Sequence, residues 1–327
     1  MPVEKFGVAA LGELLIDFTP LGISPNGNPI FERNPGGGPA NMACAAARLG
    51  AKTAFVGKVG ADNFGRALRE TLEKNGVDAR WLRMSQECPT TLAFVHLDEK
   101  GDRSFSFYRH GGADTMIGWD DVDPAVLDCC QYFFCSSVLM AEGPSRETSF
   151  RMMETARERG VPVVFDPNLR FNLWSSPEEV RRVVLRALPL ADIVKVSGEE
   201  AVFLTGEEKL EDAVGKLRRE YRFQALLVTL GAEGCRAYAG DLKVAMPAHP
   251  VEAVDTTAAG DSFTGGFLAA LLESGKTVSE LTREEFWEII RTANITGGLT
   301  ASRKGSISAL PTRQEVEAAK KRSLSLE

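Results

Sequence analysis

The chain has 327 residues and a net charge of −7, with a pI near 5.3. That balance gives no global electrostatic support to a nucleic-acid partner, so anionic ligands must be held by local devices such as helix N-termini. Hydrophobic residues at 44% and charged residues at 25% suit a globular protein with a real core, and no apolar run reaches the ~18 residues of a membrane span.

The N-terminus, Met1-Pro-Val-Glu-Lys-Phe-Gly-Val8, heads into a strand without a basic region or a hydrophobic signal core, so a cytoplasmic address is expected. In chain order, strands are expected at Phe6–Gly12, Thr53–Val59, Tyr132–Ser136, Pro162–Asp166, Ile193–Val196 and Ala225–Leu230. Helical spacing of apolar residues falls between them, at Pro39–Leu49, Gly65–Lys74, Arg146–Arg159, Pro177–Leu188 and Leu210–Tyr221. Pro39 fits a first helical turn, and Gly50, Gly76 and Gly160 fit C-terminal caps. Such alternation predicts an α/β protein with a mainly parallel sheet covered on both faces.

Two stretches break the rhythm. Thr91–Leu97 and Arg103–Arg109 alternate in the β manner around Asp98-Glu-Lys-Gly-Asp102, a hairpin signal, and residues 13–33 lack helical periodicity. Together they suggest a small β flap beside the main sheet, a reasonable lid over a crevice at the strands' carboxyl ends. After Thr312 the chain reads as a charged tail. The six cysteines form no CxxC pair and sit mostly in apolar stretches, as reduced packing residues do, and the three histidines are too scattered for a metal cluster.

The strongest motif is Val254-Asp-Thr-Thr-Ala-Ala-Gly-Asp261-Ser-Phe263, followed by a helical run of small and apolar residues. Small residues entering a helix let backbone N–H groups converge on one spot, and the helix N-terminus favours a transferring phosphoryl group. A carboxylate in that first turn can take a proton from an incoming hydroxyl. Phosphoryl transfer asks for little beyond such positioning and charge stabilisation. Alone, Asp261 reads as well as an ordinary N-terminal helix acid. Gly275-Lys-Thr277 ends like a P-loop, but Ala270 stands where the first glycine is required and no strand precedes it. Gly36-Gly-Gly38 is not a dinucleotide fingerprint either.

Asp255-Thr-Thr-Ala-Ala-Gly-Asp261 resembles the C-terminal signature of the ribokinase-like (PfkB) sugar kinases, Asp-Thr-x-Gly-Ala-Gly-Asp. It departs at Ala258, where glycine is commoner; alanine still permits close backbone approach if φ is negative there. Gly36-Gly-Gly-Pro-Ala-Asn41 resembles the family's N-terminal glycine motif, Ser197-Gly-Glu-Glu200 its Asn-x-x-Glu segment with Ser197 in place of Asn, and Thr229-Leu-Gly231-Ala-Glu-Gly234 the turn along the nucleotide. The likeness runs from about residue 6 to 320 with its motifs in the family's order. It implies one ribokinase-like domain, a three-layer α/β sandwich over residues 1–327, with a β lid from about 13–35 and 90–118.

The same resemblance implies the site. Asp261 is the base, with Ala258, Ala259 and Gly260 supplying amides to the phosphoryl oxygens. Lys195, Ser197, Thr229, Gly231, Gly234 and Asn294 lie along ATP, and Glu200 is in the Mg²⁺ shell. Asp255 and Thr257, with carbonyls near Thr300 and Gly305, hold K⁺, although Ala309 lacks the hydroxyl expected at the last position.

Asp17 is expected to close the first strand in Gly12-Glu-Leu-Leu-Ile-Asp17, where a carboxylate near a glycine turn can bind sugar hydroxyls. The family likeness places it with Gly37, Gly38 and Asn41 around the sugar. Phe107-Tyr-Arg109, Ala113-Asp114 and Asp166-Pro-Asn168-Leu-Arg170 look most like bacterial and plant fructokinases, with Glu142 a further substrate-pocket residue. Arg109 or Arg170 suits a carboxylate equally, as in 2-keto-3-deoxygluconate kinases. Transfer to O6 of D-fructose is the expected reaction; a 2-keto-3-deoxygluconate kinase, a ribokinase, an adenosine kinase and a catalytically silent sugar-sensing relative are the alternatives. Lid pairing, which would cover exposed strand edges, implies a homodimer.

Overall fold

A computed structural model describes residues 5–97 and 103–324. In chain order its strands are β1 (Phe6–Leu11), β2 (Leu15–Ile23), β3 (Pro29–Gly36), β4 (Thr53–Gly60), β5 (Val77–Asp78), β6 (Leu82–Ser85) and β7 (Leu92–Leu97). They continue as β8 (Arg103–Tyr108), β9 (Cys130–Ser136), β10 (Val163–Asp166), β11 (Ile193–Ser197), β12 (Ala225–Thr229), β13 (Cys235–Ala239) and β14 (Leu242–Met246). The α-helices are α1 (Gly38–Arg48), α2 (Asn63–Lys74), α3 (Ser145–Glu158), α4 (Pro177–Ala187), α5 (Gly198–Thr205), α6 (Leu210–Glu220), α7 (Ala259–Ser274), α8 (Arg283–Ala301) and α9 (Arg313–Leu324).

The large sheet runs β14-β13-β12-β11-β10-β9-β1-β4-β5, with β6 also on β4. It is parallel from β12 to β5, as an alternating strand–helix chain requires. All six residues of β1 are buried, which is why it reads as a continuous apolar run. One face packs against α3 to α6 through Phe150, Val180, Ala201 and Ala213. The other meets α1, α2, α7 and α8 through Met42, Leu68, Phe267 and Ile290. After β1 the chain builds outward through β4 and then returns to add β9 on the other side of β1. That reversal leaves a crevice beyond the carboxyl ends of β1 and β9, where open α/β sheets bind ligands.

The second sheet has the order β3-β2-β7-β8. Its strands are antiparallel except for β2 beside β7. Phe94 stacks on Phe18 at 4.8 Å and meets the edges of Phe31 and Tyr108 at 5.7 and 5.6 Å. Residues 98–102, the expected hairpin turn, lie outside the described residues.

Two local expectations need correction, and one element was not expected. Asp17 does not close the first strand: β1 stops at Leu11, and Asp17 sits in β2 opposite Asn34. Gly12 interrupts the apolar run, and the chain there leaves one sheet for the other. The segment after Thr312 is not merely a charged tail. It forms α9, whose Val316 and Ala319 pack against Ala46, Ala269 and Ile295. The β13–β14 hairpin, antiparallel at the sheet's edge, carried no strand expectation at all.

Candidate active site

Two helices begin at the crevice. Asp261 comes from the first turn of α7 and Asn41 from that of α1, and Asn41 Nδ2 donates to Asp261 Oδ2 at 2.9 Å. Burial raises the Asp261 pKa, while the Asn41 hydrogen bond and the charges of Lys195 and Arg170 oppose the rise. Gly38 stands opposite. A Cβ there would lie 2.7 Å from Asn168 Nδ2, 3.2 Å from Asp261 Oδ1 and 3.4 Å from Glu13 Oε1, so a side chain would fill the space around the carboxylate.

Among the described residues, only two non-glycine positions have positive φ, and both face this crevice: Asn168 at 42° and Ala258 at 60°. The negative φ under which alanine would match glycine at position 258 is therefore not met. The chain must turn left-handed to enter α7, and alanine takes that conformation at the cost of backbone strain. The Ala259 N–H is also already engaged, donating to Thr256 O at 3.2 Å. Gly260 and Asp261 are first-turn residues whose amides lack a carbonyl four positions back within the helix.

Lys195, in the middle of β11, joins the two sides. Its Nζ lies 3.1 Å from Asp166 Oδ2, and a Cβ on Gly260 would lie 2.9 Å from the same nitrogen. Burial lowers the lysine's pKa, but Asp166, Glu200 and Asp261 together more than offset it and hold the ammonium charged. Asp166 Oδ1 also accepts the Asn168 N–H at 3.0 Å. Glu200 spends both oxygens on backbone: Oε1 accepts from Leu169 N and Oε2 from Ser197 N, each at 2.7 Å, while Ser197 Oγ accepts from Glu200 N at 3.0 Å. Ser197 and Glu200 thus form the capping box of α5.

At the β1–β9 side the material is charged. Arg109 follows β8 and is only 3% exposed. Its Nε donates to Asp114 Oδ2 at 2.9 Å and Nη2 to Val138 O at 3.0 Å. Thr91 Oγ1 holds the other Asp114 oxygen. Glu142 Oε1 lies 3.9 Å from Nη1. Asp17 is half-buried, and burial raises its pKa to about 6 despite the nearby Arg170 charge; Arg170 itself is exposed. Gly37 needs its glycine, with φ at 120° and the Glu13 carbonyl where a side chain would go.

Five of the buried polar atoms that lack a hydrogen-bond partner cluster here: Glu13 Oε2, Asn41 Oδ1, Arg109 Nη1, Ser136 Oγ and Asp166 Oδ2. Asp166 Oδ2 faces the Lys195 ammonium without an aligned hydrogen bond. Unpaired buried polar groups are costly in isolation, and a polyhydroxylated ligand is the chemical class that satisfies such a set. Sequence reasoning assigned nothing to Glu13 or Ser136. The one signal for Glu13 was an acid set inside an apolar run, Ala9-Ala-Leu-Gly-Glu13-Leu-Leu-Ile16.

The remaining expected residues divide. Ser197 and Thr229 are register partners at the carboxyl ends of β11 and β12, with Gly231 and Gly234 in the turn beyond, both at positive φ. Asn294, in α8, donates from Nδ2 to Pro247 O at 2.7 Å. Asp255 gathers Thr257 and Gly305: Oδ1 accepts from Thr257 N and Oγ1 at 3.0 and 2.6 Å, and Oδ2 from Gly305 N at 3.1 Å. The Thr300 hydroxyl turns back into its helix to Thr296 O.

The fold recurs in known proteins. The model of the pfkB family carbohydrate kinases matches residues 5–313. The chain belongs to that family. It is 40% identical to probable fructokinase-4 of Arabidopsis thaliana, over 96% of each chain. The fructokinase of Xylella fastidiosa with bound ATP superposes with a TM-score of 0.89 at 32% identity, covering 97% of this chain and 98% of that one. The Vibrio cholerae O395 fructokinase, in a form with fructose, ADP and calcium ion, gives 0.83 at 33% identity over 96% and 98%. This pfkB kinase is accordingly a phosphotransferase acting on a sugar hydroxyl, with the three-layer fold of the ribokinase-like enzymes. No helix among the described residues is long and apolar enough to cross a membrane.

Proposed function

We propose that the chain is an ATP-dependent fructokinase that transfers the γ-phosphoryl group to O6 of D-fructose. The observation that carries the reading is the buried Asp261 carboxylate at the start of α7, oriented by Asn41 and faced by a glycine. A base whose pKa is lifted toward the working pH accepts a proton more readily, so burial tunes Asp261 for the role. As the sugar oxygen attacks phosphorus in line, its proton passes to Asp261. The Gly260 and Asp261 amides, with the Lys195 ammonium beside Gly260, meet the charge that develops on the phosphoryl oxygens. Ser197, Thr229, Gly231, Gly234 and Asn294 line the nucleotide side.

The charge around the sugar end supports fructose over an acid sugar. The Arg109 guanidinium is already neutralised by Asp114 and the Lys195 ammonium by Asp166, while Glu13, Asp17 and Glu142 add further carboxylates. A sugar carboxylate would enter an acidic pocket, whereas hydroxyls meet the acceptors they need. Mg²⁺ fits as a companion of the ATP phosphates: it is usually held by few carboxylates plus phosphates, and Glu200 has both oxygens engaged. The oxygen-rich turn of Asp255, Thr257 and Gly305 suits K⁺. The four-stranded sheet acts as the lid. Its exposed apolar residues Leu21, Ile23, Ile30 and Tyr108 support a homodimer formed through it.

The test is ADP release with Mg-ATP and K⁺, offering fructose, ribose, 2-keto-3-deoxygluconate and adenosine. Fructose-dependent turnover is expected, falling by about 10²–10⁴ in D261N. Turnover confined to 2-keto-3-deoxygluconate would overturn the sugar assignment, and turnover surviving intact in D261N would overturn the base.

A further inference from the structure

Asp261 is held by Asn41, but what holds Asn41 is a residue outside the expected site. α1 begins at Gly38, and its N-cap, Gly37, has no side chain with which to cap it. The missing acceptor comes from elsewhere in the chain. Glu13, just past the end of β1, accepts the Gly38 N–H through Oε1 at 2.7 Å. One turn later the Asn41 N–H donates to Gly37 O at 2.8 Å, and the Asn41 side chain reaches Asp261. A continuous chain of contacts therefore runs from β1 through the first turn of α1 to the carboxylate on α7.

We propose that Glu13 is a positioning residue for Asp261, fixing the first turn of α1 so that the Asn41 amide holds the base in its productive orientation. The inference rests on the proposed kinase reaction. Glu13 is 3% exposed, and a carboxylate is an expensive group to bury where a smaller polar residue would serve as an ordinary cap. Its charge lies at a helix N-terminus, where the dipole strengthens the hydrogen bond. Burial nonetheless raises its pKa to about 7; its own backbone hydrogen bond, the Arg109 guanidinium and the Gly38 N–H pull it down, and Asp114 pushes it up. Asp261 of α7 lies across Gly38 from it. Protonation of Glu13 removes the charge from the Gly38 contact and loosens the turn that carries Asn41.

Glutamine and alanine separate the roles. E13Q keeps a carbonyl acceptor for the Gly38 N–H but carries no titrating group; E13A keeps neither. E13A should lower kcat by about 10²-fold, the scale of a misplaced catalytic group, with the ATP Kd unchanged. E13Q should hold kcat at the level of the wild type with Glu13 protonated, above E13A and below the ionised enzyme. Its kcat profile should lack the step that Glu13 contributes near pH 7 beside that of Asp166. Equal loss in both variants would overturn the proposal, as would a loss confined to the sugar KM or an unchanged pH profile in E13Q. If E13A fails to fold, the E13Q profile still decides. An active wild type with unaltered variants sinks this inference alone, whereas a wild type inert toward every sugar sinks the reaction. In that second case the Asn41 side-chain amide resonance gives the answer: it should move in E13A and stay in E13Q, and an unmoved resonance in E13A refutes the tether.

Discussion

At the α7 end of the crevice the chain offers amides and small residues; at the β1–β9 end it offers carboxylates, a guanidinium and a hydroxyl. The first end is built from backbone, so its geometry depends on the conformation of Ala258 and Gly260 and on the helix behind them. The second is built from buried side chains whose charges must be paired, as Arg109 is with Asp114. The ligands explain the division. A phosphoryl group presents several equivalent oxygens and is met well by converging N–H groups. A sugar presents hydroxyls that both donate and accept, and discrimination among sugars needs side chains fixed in space.

Lys195 belongs to both ends, so its removal should have the largest effect on stability. K195M leaves Asp166, 1% exposed, as a buried carboxylate without its cation. Breaking such a pair costs about 3–5 kcal/mol. Urea unfolding at pH 8 should show that loss, together with lost turnover because the ammonium beside Gly260 is gone. The deficit should shrink at low pH, where Asp166 takes up a proton and no longer needs the cation. A variant as stable as wild type at pH 8 would mean that the two ends are not joined through this residue.

A smaller, oppositely signed effect is expected at Asp17. Its pKa in the folded protein is about 6, raised by burial from 3.8. The native state then binds the proton more tightly than the unfolded chain. Ionised Asp17 therefore costs stability that is absent below about pH 4, sets in as pH rises and is complete above about 6. D17N escapes the cost. Its melting temperature should exceed that of wild type at pH 8, and the gap should close at pH 4. The sugar KM should rise at the same time, because a charged acceptor has been lost. If D17N is less stable at both pH values, Asp17 serves the fold rather than the sugar.

The same division shows what could be read from the sequence. The α7 end was legible because its signal is local: small residues, an acid and a helical run lie within ten positions. The parallel sheet was legible because each strand is buried on both faces and each helix on one. The sugar end was legible only through family likeness. Glu13 meets Gly38 across 25 positions and Asn41 meets Asp261 across 220, and no periodicity encodes such contacts. Asp17 was put on the wrong strand because an apolar run crossing Gly12 looks continuous until the chain changes sheets. Nothing in the neighbours of Arg109 announced that its Nε would be paired with Asp114.

The smallest expected effect tests the backbone end by itself. Alanine in a left-handed conformation costs about 1–2 kcal/mol, and glycine at the same site gives back about 0.4–1 kcal/mol through the greater freedom of the unfolded chain. A258G should therefore stabilise the protein by about 0.5–1 kcal/mol, a rise in melting temperature of about 1 °C. Because the turn already has the conformation glycine prefers, kcat should stay close to wild type. A lower melting temperature would mean that the methyl of Ala258, a residue 9% exposed, contributes more through packing than its backbone loses to strain. A large fall in kcat would mean that the methyl stiffens the amides that face the phosphoryl group. In either case the α7 end would rely on a side chain after all, and its contrast with the sugar end would narrow.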